Sequence, residues 1–161
     1  MNEEILRASE TLLRRCRSRG LTVATVESCT GGLLAGALTA IAGSSDVVER
    51  GLVTYTNEAK AELASVPAAL IAAHGAVSED VARAMAEGGL ANSRADIAVG
   101  ITGVAGPGGG SPAKPVGLVH IAAARRSGAT LHRRFLFAGD RAAVRESSVL
   151  AAMALIGRLA G

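Results

Sequence analysis

Helical and strand-like apolar spacings mix along this chain and predict an α/β layered fold around a mixed sheet. Two observations carry that expectation. Short β-branched runs at residues 21–27, 47–56 and 96–102 lie between segments of helical spacing, and the runs at 116–124 and 131–139 are joined through Ser127-Gly128 as a hairpin. A length of 161 residues sets one domain, 1–161, with room for a buried core. The chain is 49% hydrophobic yet has one tyrosine, two phenylalanines, no tryptophan and 20 glycines, so small aliphatic side chains must build that core. Elements built this way approach closely.

Each element has a local reason. Residues 3–19 place Ile5, Leu12, Leu13 and Cys16 on one stripe and stop at Gly20, an amphipathic helix. The strand at 21–27 runs into Gly31 and Gly32 before Leu33, Leu34, Ala37, Leu38 and Ile41 resume helical spacing, which puts Ser28 at a strand-to-helix turn. After the strand at 47–56, Asn57 caps a short helix with Lys60 in its first turn. Pro67 opens another short helix ending at His74-Gly75, and Ser78, Glu79 and Asp80 start a longer one through about Leu90. Residues 103–115 hold three prolines and five glycines and form a loop on the end of a buried strand. Asp140 caps a terminal helix with Val144, Ala151, Ala152, Leu155 and Leu159 inward.

Composition removes several function classes. No apolar run reaches the roughly 18 residues of a membrane span, and the start MNEEILRASE is charged rather than signal-like, so a cytoplasmic protein without membrane contact is expected. Cys16 and Cys29 have no ligand spacing, which argues against a metal site. Lys and Arg exceed Asp and Glu by only 17 to 14, and aromatics are too few for base stacking, so no nucleic-acid partner is expected. Small apolar helix faces favour a homo-oligomer.

The stretch VESCTGG concentrates the chemistry. Ser28 either caps the following helix or attacks a carbonyl whose oxyanion is held by the first-turn N–H groups near Thr30, Gly31 and Gly32. It is not the α/β-hydrolase elbow, since Val26 stands where that motif needs a glycine. His74, His120 and His132 sit at a helix end and within strands, poor places for a base to Ser28. The two lysines are Lys60 and Lys114. A lysine in a first helical turn opposes the helix dipole at a cost of about 0.3–1 kcal/mol. Lys60 is therefore either a solvated residue flanked by Glu58 and Glu62 or a base for Ser28 with its pKa lowered by an apolar pocket. Tyr55, the only tyrosine, is placed to stack on a flat ligand or relay a proton, or is half-buried and structural. The loop TGVAGPGGG is neither a P-loop nor a dinucleotide fingerprint but exposes N–H groups able to cradle a phosphate or a sugar. Arg141 and Arg145 lie four apart at a helix start, where an anion, or in part Asp140 and Glu146, would relieve them.

In order, VESCTGG, RGLVTYTNEAK, HGAVSE, GITGVAGPGGG with KPVG, and FAGDRAAVRE closely resemble the CinA C-terminal domain family over about residues 5–158. The resemblance implies a three-layer α/β/α domain that hydrolyses the carboxamide of nicotinamide mononucleotide to nicotinate mononucleotide and ammonia, with no metal or cofactor. It implies Ser28 as nucleophile, Tyr55 and Lys60 as the activating pair, and substrate contacts at Thr30, Gly31, Gly32, Thr102, Gly103, Gly106, Arg141 and Arg145. Gly108 stands where some members carry an acidic residue, and larger members add an N-terminal domain. A rival reading is a pyridine-nucleotide-binding module without catalysis, in a competence or DNA-damage context.

Overall fold

The computed structural model describes residues 1–161. Six α-helices and five strands follow one another as α1 (Glu3–Ser18), β1 (Val23–Glu27), α2 (Leu33–Thr39), β2 (Val48–Val53), α3 (Asn57–Ala64), α4 (Ala68–His74), α5 (Glu79–Ala91), β3 (Ile97–Gly103), β4 (Leu118–Arg125), β5 (Thr130–Leu136) and α6 (Arg141–Ala160). The strands form one sheet in the order β2-β1-β3-β4-β5. The first three are parallel and the last two antiparallel, so the sheet is mixed. Helices α1, α2 and α6 pack on one face and α3, α4 and α5 on the other, giving the three-layer α/β/α domain. No helix is long and apolar enough to cross a membrane.

Strand alternation gives the two faces different characters. Toward α1, α2 and α6 point Val23, Ile97, Val99, Ile101, Val119 and Ile121, which join Leu12, Leu13 and Cys16 of α1 in the main core. Toward α5 the sheet presents Ala24, Ala98, Ala122, Ala124 and the bare Gly100. A Cβ at Gly100 would come within 2.7 Å of the Ala82 carbonyl oxygen of α5. On α5 itself, a Cβ at Gly88 would overlap the Ala64 carbonyl at the end of α3. The glycines expected from composition to permit close approach thus set the spacing of α5 from both the sheet and α3.

The expected boundaries need adjustment near the site. The strand foreseen over 47–56 ends at Val53: Thr54 still gives its N–H to the Glu27 carbonyl at 2.8 Å, but the carbonyls of Thr54 and Tyr55 turn toward a buried side chain. Thr56, not Asn57, caps α3, its hydroxyl accepting the Ala59 N–H at 3.0 Å. The last strand ends at Leu136 rather than residue 139, with Gly139 at φ +101° leading into the Asp140 cap.

Gly88→Ala is expected to lower unfolding free energy by about 1–3 kcal/mol, since backbone must shift to admit the methyl group. Gly108→Ala, in open space, is expected to stay within about 0.5 kcal/mol of the parent. Urea titrations of the two variants decide it, and equal midpoints would refute the close-approach account.

Candidate active site

The site forms at the carboxyl ends of β1 and β3. The connection from β1 leaves through α2 on one face and returns to β3 through α3–α5 on the other, so a crevice opens where the two parallel strands end. Ser28 follows β1 directly, and its N–H donates to the Ile101 carbonyl of β3 at 3.0 Å. Alternation sends Glu27 toward α2 and Ser28 toward α3.

Glu27 performs the capping that the sequence left open to Ser28. Gly32 precedes α2 at φ +99° and has no side chain to cap it. The buried Glu27 carboxylate instead accepts the N–H groups of Leu34 at 2.8 Å and Ala35 at 3.0 Å, and the Thr25 hydroxyl at 3.3 Å. An acidic group at a helix start is favoured by the dipole, and the Ser28 hydroxyl is thereby left free. A glutamate just ahead of a Gly-Gly helix start is the signal that could have revealed this.

Lys60 enters from α3 and is only 1% exposed. Its Nζ lies 3.0 Å from Ser28 Oγ, 3.0 Å from the Thr54 carbonyl oxygen and 3.4 Å from the Tyr55 carbonyl oxygen. No carboxylate pairs with it; burial lowers its pKa, opposed in part by the nearby Cys29. The two carbonyls can only accept, so they take two N–H bonds. The Ser28 Oγ is the third partner of Nζ, and were the amine neutral its lone pair would face the only one of the three that carries a proton. Cys29, beside the serine, stays a thiol because burial pushes its pKa up to about 11.

Ser28 and Lys60 open into a cleft of about 300 Å³, whose walls include Tyr55, Thr102, Gly103, Gly106 and Arg141. Thr102 is fixed by donating its hydroxyl proton to the Ala76 carbonyl at 2.8 Å. Arg141 spans the mouth, donating from Nη1 to the Gly106 carbonyl at 2.9 Å and from Nη2 to the Tyr55 phenol at 3.1 Å. Tyr55, 56% exposed as a residue, therefore meets Lys60 through its backbone carbonyl, while its phenol stands at the entrance with Arg141. Thr30, Gly31, Gly32 and Arg145 do not line this cleft. Within the turn the Gly31 N–H is already spent on the Ser28 carbonyl at 2.9 Å, whereas the Thr30 and Gly32 N–H groups make no hydrogen bond within the chain.

The remaining candidates lie elsewhere. Lys114 donates to the His74 carbonyl at 2.6 Å and ties the Gly/Pro loop to α4. His74 faces Asp80, and His120 stacks on His132 with Nδ1 and Nε2 2.9 Å apart, burial and the neighbouring His132 pushing His120 down to about 4. None of the three histidines reaches Ser28.

A lysine amine buried against a serine hydroxyl, at the carboxyl ends of a parallel strand pair in a three-layer α/β/α domain, defines the structural class. Within it, the chain belongs to the CinA C-terminal domain family, whose sequence profile matches residues 6–160. It is 50% identical over 152 residues to the nicotinamide-nucleotide amidohydrolase PncC of Escherichia coli, covering 94% of this chain and 92% of that protein. It is 57% identical over 139 residues to a CinA-like protein of Mycolicibacterium gilvum; that match covers 86% of this chain and only 33% of the relative. The competence/damage inducible protein CihA from Agrobacterium tumefaciens superposes with a TM-score of 0.96 at 46% identity, covering 99% of this chain and 97% of that one.

The Lys60 site makes stability depend on pH with a definite sign. In the unfolded chain Lys60 holds its proton up to about pH 10.4, and in the folded chain it releases it at lower pH. Between those values unfolding takes up a proton, so stability rises with pH through that window and is flat below the folded pKa. Urea midpoints of the parent and of Lys60→Met from neutral to alkaline pH should show the parent gaining on the variant. Parallel curves would refute the shift.

Proposed function

We propose that this protein is a nicotinamide-nucleotide amidohydrolase in which Ser28 is the nucleophile and Lys60 the base. The observation that supports it most directly is the 3.0 Å contact between the Lys60 amine and the Ser28 hydroxyl, buried and without a carboxylate partner. The likeness to PncC along nearly the whole of both chains supplies the substrate class.

The steps follow from the site. The neutral Lys60 amine takes the Ser28 proton as Oγ bonds to the carboxamide carbon, and the oxyanion develops on the carboxamide oxygen within the cleft. Lys60 returns that proton to the departing nitrogen, the C–N bond breaks, and ammonia leaves an ester on Ser28. Water then gives a proton to Lys60 and attacks the ester carbon. The Ser28–acyl bond breaks, the proton goes back to Oγ, and the pyridine acid is released. At the mouth, the Tyr55 ring offers a face for the flat pyridine and Arg141 a cation for the nucleotide phosphate. Thr102, Gly103 and Gly106 shape the wall between them.

Purified protein supplied with nicotinamide mononucleotide should release ammonia and the corresponding acid, followed by mass spectrometry. Ser28→Ala should lose turnover to background, and Lys60→Met should lose a factor of at least about 10². On the acid side, kcat should rise with pH to a midpoint below the ordinary lysine value. Full turnover by Ser28→Ala, or tight nucleotide binding by the parent with no ammonia release, would sink the proposal.

A further inference from the structure

Arg145 faces the nucleophile turn rather than the cleft. Its Nη2 donates to the Thr30 carbonyl at 3.0 Å, across 115 residues of sequence, and that same carbonyl accepts the Leu33 N–H at 2.9 Å. A Cβ built on Gly31, which sits at φ +56°, would lie 3.7 Å from the same Nη2, so the turn and the guanidinium are in near contact. Neither Asp140 nor Glu146 pairs with Arg145, and its Nε is buried without a partner. Its charge is thus spent on the turn, where it is felt at Cys29 beside the nucleophile.

We infer that Arg145 is a positioning residue: from α6 it holds the Ser28–Gly32 turn in the geometry that acylation needs, and it is not a ligand of the substrate. The inference rests on the amidohydrolase reading above for its kinetic arm. Its physical basis is a turn tied at three places. The Ser28 N–H is bonded to β3, and Glu27 grips the first amides of α2. Between those anchors the Thr30–Gly31 peptide is held on its N–H side by the Ser28 carbonyl and on its carbonyl side by the Leu33 N–H and Arg145. Rotation there would break the Gly31–Ser28 bond that closes the turn and so move the Ser28 backbone that carries the nucleophile. A misplacement of about 1 Å at a reacting group costs on the order of 10²-fold in rate.

The competing role is ligand binding, because Arg145 also borders a second cavity of about 690 Å³ beyond the Gly106–Arg141 contact, with Pro107, Gly139 and Asp140. Arg145→Met and Arg145→Lys separate the two roles when assayed with nicotinamide mononucleotide and with the riboside that lacks its phosphate. Folding of each variant is checked by urea midpoint. Positioning predicts that Arg145→Met lowers kcat by about 10- to 100-fold for both substrates while KM stays within about twofold. Methylguanidinium should restore part of the rate of Arg145→Ala. A phosphate ligand predicts a raised KM for the mononucleotide with the riboside unaffected, and that result would overturn the inference.

A third measurement does not depend on the substrate: the rate at which an uncharged fluorophosphonate labels Ser28, read by intact mass. Arg145→Met should slow labelling by a factor similar to its loss in kcat. If the parent hydrolyses neither substrate yet labelling still slows in Arg145→Met, the substrate reading fails and the positioning role stands. Labelling at the parental rate in a folded Arg145→Met overturns the positioning role.

Discussion

The contact on which the rest of the site depends is the one between the Lys60 amine and the Ser28 hydroxyl. An ammonium group buried this completely, with only carbonyls and a hydroxyl around it, is costly to keep charged. Burial shifts the balance toward the neutral amine, the form that can accept a proton. A solvated lysine at the same distance would keep the ordinary lysine value.

Keeping Lys60 buried is a task for the whole α3–α5 layer. The end of α3 is drawn against α5 where Gly88 leaves room for the Ala64 carbonyl, and α5 is drawn against the sheet where Gly100 leaves room for the Ala82 carbonyl. Alanines at 98, 122 and 124 continue that thin face. Larger residues there would lift α5 and α3 from the strand ends, and water would reach the amine. The small-residue composition thus bears on catalysis through packing, not only on the core.

Much of this was legible in the sequence because it obeyed local rules. Periodicity placed the helices and strands, and the loop at 103–115 announced itself by its prolines and glycines. A serine at a glycine-rich turn and a lysine awkwardly placed in a first helical turn left a cap and a solvated lysine equally open, and the family resemblance brought Ser28 and Lys60 together as a pair. What stayed hidden depends on long-range contacts. That Glu27, not Ser28, caps α2 follows from which way a strand residue points, and that the Tyr55 phenol turns to Arg141 depends on an 86-residue separation. Arg141 and Arg145 looked equivalent by spacing, yet one helical turn sends the first to the cleft mouth and the second to the Thr30 carbonyl.

The same directional logic explains why the serine rather than the adjacent cysteine meets the Lys60 amine. A thiol is ordinarily the better nucleophile, but only as thiolate. Cys29 points into the main core with residues of α2 and α6, and its pKa of about 11 leaves it protonated at neutral pH. Ser28, one residue earlier, points the other way, onto the amine of Lys60. Had the strand register slipped by one, every side chain of β1 would change face. The thiol would then meet the amine, the Glu27 carboxylate would leave α2 uncapped, and the turn would lose the anchor on that side. The sheet register of β1 against β3 therefore decides which side chain meets the Lys60 amine.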